Sequence, residues 1–177
     1  MALTVGSKAP AFKTVDQDEQ QVSLSDYKGK KVVLYFYPRD LTPGCTAEAC
    51  SLRDNYKALQ KAGYEVLGIS TDTSKSHKKF IEKEKLPFRL LADEDKTVHE
   101  KFGAWVEKSM YGRKYMGTAR ITYLIDEQGV IKEIIEKVDT KNHATQILET
   151  SNNVAAKADK KPLKKVAPKK AKKASKK

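Results

Sequence analysis

Apolar residues along this chain cluster in short dense runs separated by polar or helically periodic stretches. Val32-Val33-Leu34-Tyr35-Phe36-Tyr37 is continuous and rich in β-branched and aromatic residues, the pattern of a strand buried on both faces. Residues 65–70 (EVLGIS) and 121–125 (ITYLI) have the same character. Residues 130–136 (VIKEIIE) follow Asp126-Glu127-Gln128-Gly129, which predicts a hairpin with Gly129 in its turn. Between these runs, Cys45, Ala49, Leu52, Tyr56 and Leu59 recur at steps of four, three, four and three. That period predicts one helix over 45–62, closed by Gly63. A second helix is expected over 74–85, with Phe80 and Ile81 on one side and Pro87 ending the segment. Shorter helices are expected over 95–102 and 141–149, and short strands and turns over the first 30 residues. Tyr111, Arg113 and Tyr115 fall in what reads as a Gly-containing loop. The alternation predicts an α/β fold with a mixed central sheet flanked by helices.

Length and composition narrow this picture. A chain of 177 residues suits one domain of ordinary size, with a core that needs no disulfide or metal. No run of 18 or more apolar residues is present, and the start lacks the basic and apolar regions of a secretory signal. A cytoplasmic protein without a membrane partner is expected. The net charge of +12 is unevenly placed. Residues 151–177 carry 11 lysines against one aspartate, whereas residues 1–150 carry 24 basic against 22 acidic side chains. The expected organisation is therefore a nearly neutral domain over 1–150 and a Lys/Ala/Pro-rich disordered tail over 151–177. Such a tail offers non-specific contact with nucleic-acid phosphates, or a nucleoid or nuclear address. Its lack of aromatic residues argues against base stacking.

The two cysteines, Cys45 and Cys50, are too few for a disulfide scaffold, and their spacing is not that of a zinc site. No metal or cofactor is expected. His77, His99 and His143 are scattered without ligand spacing, and surface or capping places are expected for them. Cys45 follows a strand, a turn and Pro43-Gly44, and so opens a helix. A thiolate there is favoured by the helix dipole and by free backbone N–H groups. A guanidinium would favour it further. Arginine is scarce, five against 30 lysines, and Arg120 stands at the start of an apolar strand. It could point at the cysteine across the sheet edge or simply reach solvent.

The stretch from Tyr37-Pro38 through Thr42-Pro43-Gly44-Cys45 to Cys50 resembles the peroxiredoxin signature Pro-x-x-x-Thr-x-x-Cys. The second cysteine five residues on is similar to the bacterioferritin-comigratory, or Q-type, branch. Gly68-Ile69-Ser70-Thr71-Asp72, Phe102-Gly103-Ala104-Trp105 and Arg120-Ile121-Thr122-Tyr123-Leu124-Ile125-Asp126 match that branch in order, and the resemblance spans about residues 3–150. It implies a thioredoxin-like fold and thiol-dependent reduction of hydrogen peroxide and organic hydroperoxides. It also implies roles. Cys45 would be the peroxidatic thiolate, and Thr42 would hydrogen-bond it and the peroxide. Arg120 would stabilise the thiolate and the departing oxygen, Glu48 would orient Arg120, and Pro38 would shield the sulfur.

Attack on peroxide leaves a sulfenic acid on Cys45, and Cys50 is the other thiol in the chain that can resolve it. On an intact helix, residues five apart lie about 8.6 Å apart at Cα. A disulfide tolerates no more than ~7 Å. A reduced form with this helix intact and an oxidised form rearranged around 43–51 are expected. Thioredoxin or a similar dithiol would reduce the bond, and one chain supplies both thiols, so a monomer suffices. Two rival readings are a thioredoxin-type thiol–disulfide oxidoreductase and a nucleic-acid-binding protein with an inert domain. The first expects C-x-x-C, and the second expects loss of Cys45, Thr42 or Arg120; the chain has C-x4-C and retains all three.

Overall fold

The computed structural model describes residues 2–159. The sequence runs become the centre of a seven-stranded sheet: β3 (Lys31–Phe36), β4 (Tyr64–Ser70) and β8 (Ile121–Ile125). Around them lie β1 (Lys13–Val15), β2 (Gln21–Ser23), β5 (Arg89–Ala92) and β9 (Ile131–Ile135), in the order β2-β1-β5-β4-β3-β8-β9. β3, β4 and β5 are parallel, and the remaining neighbours are antiparallel. The mixed α/β, thioredoxin-like architecture is the one expected.

The unbroken apolar run of β3 has its predicted consequence. Val33 and Tyr35, followed by Tyr37, pack on one face with residues of helices α1 (Pro43–Asp54), α3 (Ser74–Glu84) and α5 (His143–Asp159). Val32, Leu34 and Phe36 pack on the other face with Val98, from α4 (Thr97–Lys101), and with Phe102 and Tyr123. Gly68 sits between the layers because a Cβ there would lie 2.7 Å from Leu90 Cδ2 and 2.8 Å from the Tyr35 ring. The predicted β8–β9 hairpin is present, with Gly129 at φ +79° in its turn.

Three expectations need correction. The helix expected over 45–62 is two helices, α1 and α2 (Tyr56–Lys61). At the break, the Asn55 side-chain amide donates to the Ser51 carbonyl at 3.0 Å, taking the acceptor its own backbone N–H would use. The stretch read as a loop is a hairpin, β6 (Trp105–Met110) with β7 (Arg113–Thr118). Its side chains are largely exposed, so no apolar alternation marks it; Tyr111 and Gly112, both at positive φ, form the turn. Finally, α5 runs through the expected boundary at residue 150. Residues 151–159 are helical rather than disordered, and Tyr64 anchors this part by donating to Ser151 Oγ at 2.8 Å. The disorder expected for the rest of the tail, 160–177, lies outside the described residues. Among the described residues no helix is long and apolar enough to cross a membrane.

The topology brings the chemistry together. β8 runs antiparallel to β3, and the register pairs Phe36 with Ile121. Arg120, one residue before Ile121, therefore lies beside the end of β3, where the chain turns into α1.

Candidate active site

Thr42 caps α1, so Cys45 is the third residue of the helix, within the turn whose N–H groups lack helical partners. The side chain is almost fully buried. Arg120 Nη2 donates to Cys45 Sγ at 3.4 Å. Its other terminal nitrogen, Nη1, donates to Glu48 Oε2. Glu48 follows Cys45 by three residues, so both face Arg120 from the same side of α1. Gly44 completes the fit: a Cβ there would stand 3.2 Å from Arg120 Nη2, so the guanidinium reaches the helix start across a position kept bare.

The electrostatics follow from burial. Glu48 is wholly enclosed, which pushes its carboxyl up to about 7 despite the opposing pull of Arg120. Burial acts against the charge on Arg120, but Glu48 and Cys45 outweigh it and hold the guanidinium above its ordinary value. Lys108, on β6, is a second cation within reach. Burial lowers it first, and the charge of Arg120 lowers it further, against the opposing influence of Cys45.

The loop leading into α1 is fixed from below by Asp40, which the sequence did not single out. Its carboxylate accepts from the Tyr37 hydroxyl at 2.6 Å and from Ser76 Oγ at 2.8 Å, and lies 2.7 Å from His77 Nδ1. Its backbone N–H donates to Asp72 Oδ2 at 2.9 Å. Leu41, next in line, takes the left-handed backbone at φ +62° that side chains rarely adopt, within the loop this network ties down. Pro38 and Thr42 are both half-buried on the same loop. The Thr42 hydroxyl donates to the Arg39 carbonyl at 2.9 Å, not to Cys45, which leaves its oxygen lone pairs to accept.

Cys50 stands apart. Its thiol donates to Glu84 Oε2 at 3.5 Å, and Arg53 holds the same residue by donating to the Glu84 carbonyl at 2.6 Å. Burial raises the Cys50 thiol, Arg53 opposes this, and the Glu84 carboxylate adds to the rise. Both thiols are free and α1 is continuous between them.

The structure thus joins Cys45, Arg120 and Glu48 directly, leaves Pro38 and Thr42 on the loop before α1, and keeps Cys50 five residues along the helix. It corrects the histidines. All three are fully buried rather than at the surface. Each lies beside an acid: His77 by Asp40, His99 by Asp93 and His143 by Glu48. No periodicity marks such partners, because each pair joins residues from different elements or across a turn. Trp105 packs edge-on against His99, with their rings 6.2 Å apart. Among the described residues no cluster of three or more His, Cys, Asp or Glu side chains is placed to hold a metal.

Comparison with known proteins agrees with this geometry. Residues 5–134 match the AhpC/TSA family. Peroxiredoxin Bcp of Escherichia coli is 50% identical over 146 residues, covering 82% of this chain and 94% of that protein. Peroxiredoxin Bcp of Bacillus subtilis is 41% identical over 157 residues, covering 89% of this chain and all of that one. Among solved structures, the bacterioferritin comigratory protein of Xanthomonas campestris, described with its alkyl peroxide reduction activity, superposes with a TM-score of 0.76 at 33% identity. That match covers 81% of this chain and 92% of the other. These matches, on a chain that sets a buried cysteine at a helix start under an arginine, make it a member of the AhpC/TSA family in its Bcp/PrxQ branch, a thiol peroxidase.

Proposed function

We propose that Cys45 is the peroxidatic residue and Cys50 the resolving one, in a cycle that a thioredoxin-like dithiol completes. The observation that carries this reading is the Arg120 Nη2 contact to Cys45 Sγ at 3.4 Å, with Arg120 held from its other side by Glu48. Peroxide reduction is displacement at oxygen. The Cys45 thiolate takes the nearer peroxide oxygen, the O–O bond breaks, and hydroxide or alkoxide departs and is protonated from solvent. Arg120 donates first to the thiolate and then to the departing oxygen, where negative charge develops. The Thr42 hydroxyl, already donating to Arg39, accepts from the peroxide O–H and so orients it. Pro38 limits water at the sulfur. The Cys50 thiol then attacks the sulfenic sulfur; a disulfide forms and water leaves with the sulfenic oxygen and the thiol proton. The dithiol reductant returns both cysteines to thiols.

Hydrogen peroxide and organic hydroperoxides both suit a site whose recognition is confined to the O–O group. A cytoplasmic location fits a redox cycle that needs a reducing pool. The lysines of the tail add a second reading, salt-dependent contact with nucleic acid.

The deciding experiment mixes peroxide with the reduced protein and follows thiol loss. Wild type loses thiols fast, and Cys45→Ser lacks the fast phase. Cys50→Ser stops at sulfenic acid and over-oxidises. Arg120→Met slows the first step by about 100-fold or more. A fast phase that survives in Cys45→Ser overturns the assignment.

A further inference from the structure

Glu48 enters the site with one carboxylate oxygen engaged and the other not. Oε2 receives Arg120, while Oε1 is buried without a hydrogen-bond partner. The group facing Oε1 is His143, the first residue of α5, whose Nε2 lies 3.6 Å away. His143 is itself fully buried and tightly framed. The Gln146 amide is oriented by the backbone: its nitrogen donates to the Lys137 carbonyl at 2.7 Å, and its oxygen accepts from the Asp139 N–H at 3.1 Å. That oxygen also lies 2.9 Å from His143 Nδ1, so the ring carries a proton on Nδ1. In the neutral imidazole Nε2 is then a lone pair. The Thr122 hydroxyl, 2.8 Å away, donates to it, and 3.6 Å away on its other side stands Glu48 Oε1. A lone pair facing a buried carboxylate oxygen is unfavourable, and protonation of that carboxyl relieves the repulsion.

We propose that His143 is a positioning residue for peroxide reduction: packed as a neutral ring 3.6 Å from Glu48 Oε1, it favours the protonated form of that carboxyl, and so sets how Arg120 addresses Cys45. The proposal rests on the assignment of Arg120 and Cys45 made above. Burial raises Glu48 to about 7 and lowers His143 to about 4, and both changes favour a carboxylic acid beside a neutral imidazole. A neutral Glu48 leaves the charge of Arg120 to the Cys45 thiolate, whereas an ionised Glu48 shares it. Other groups face this pair. Cys45 lies on the same helix, Arg120 precedes β8, the Tyr35 phenol comes from β3, and Asp139 lies before α5. The Tyr35 phenol is held well above its ordinary value by burial, so it stays neutral and adds no charge change near neutral pH.

The test measures the rate of Cys45 oxidation by hydrogen peroxide against pH in the full chain. Wild type shows an inflection near pH 7 beyond that of the thiol, and Glu48→Gln removes it. His143→Leu displaces this inflection and slows oxidation on the order of tenfold. His143→Gln, whose amide reaches where Nε2 lies, recovers most of the rate. A folded His143→Leu with the wild-type rate and profile overturns the proposal. If that variant does not fold, Thr122→Val keeps the shape of β8 and removes the hydroxyl beside Nε2. A displaced inflection in it supports the proposal, and an unchanged profile overturns it. Arg120→Met separates the two claims. A wild-type rate there sinks the reading on which the proposal rests; a slow rate, with His143→Leu unaffected, sinks the role of His143 alone.

Discussion

At the scale of single residues, the site is a contest between burial and pairing. Glu48 stays below the surface with one guanidinium to oppose its burial, and burial prevails. The linkage has a definite sign. An acid raised from 4.5 to about 7 keeps its proton in the folded state over a range where the unfolded chain has lost it. Stability from this group is therefore complete below pH 4.5 and lost as pH rises to about 7, a change of about 3 kcal/mol. His143 works the other way, since its stabilising neutrality is lost as pH falls from 6.5 to about 4. Urea melts of Glu48→Gln and wild type should therefore diverge in favour of the variant on moving from pH 5 to pH 8. Equal pH dependence in the two proteins would show that Glu48 is ionised throughout. Gly44 is a quieter example at this scale: its value is the side chain it lacks, beside Arg120.

Elements matter because, in the proposed cycle, the reactive helix serves two states. α1 presents Cys45 under Arg120 only while its first turn is formed, and that same turn keeps Cys50 out of reach. The far end of α1 is tied to α3 through Arg53, Cys50 and Glu84. The near end is held by Arg120, Glu48 and the Asp40 network beneath the loop. In the proposed cycle oxidation alters the sulfur that Arg120 contacts, so the start of α1 is where the hold weakens. Hydrogen exchange should register this. Amides over 45–51 are protected in the reduced protein and exchange markedly faster in the disulfide form, while the β4 amides stay protected in both. Protection of 45–51 that is unchanged on oxidation would rule out a Cys45–Cys50 bond on this helix. The break at Asn55 separates α2 from α1, so rearrangement at 43–51 need not travel into α2.

Across the whole molecule, charge and fold are divided. The domain that carries the chemistry is nearly neutral, while the positive charge collects beyond residue 150. α5 bridges the two. Its first residue touches Glu48, and its later turns carry the chain toward the lysines. If the tail engages phosphate, the full chain should bind duplex DNA at low salt and lose it steeply as salt rises. A chain ending at residue 159 should not bind, yet should keep its peroxidase rate. Salt-independent binding, or binding retained by the shortened chain, would place the contact on the domain instead. Ending the shortened chain at the notional boundary of 150 would instead cut α5 and remove Ser151, the partner of Tyr64.

The sequence by itself determined the buried strands, the helix that carries Cys45 and Cys50, and the asymmetry of charge. These are legible because each depends on neighbours along the chain: apolar runs, a period near 3.6 and local spacing. Glu48 and Arg120 could be nominated, through resemblance and through an odd arginine at a strand start. What only the tertiary structure decided is that they meet. The β3–β8 register sets Arg120 over α1, and the packing of α5 delivers His143 to Glu48. Asp40, Gly44 and the buried histidines went unread for the same reason. Their partners are as far off in the chain as residues 77, 120 and 143, and a contact made by folding leaves no local period to find. The β6–β7 hairpin escaped for the opposite reason, since its two strands are largely exposed and carry no apolar alternation.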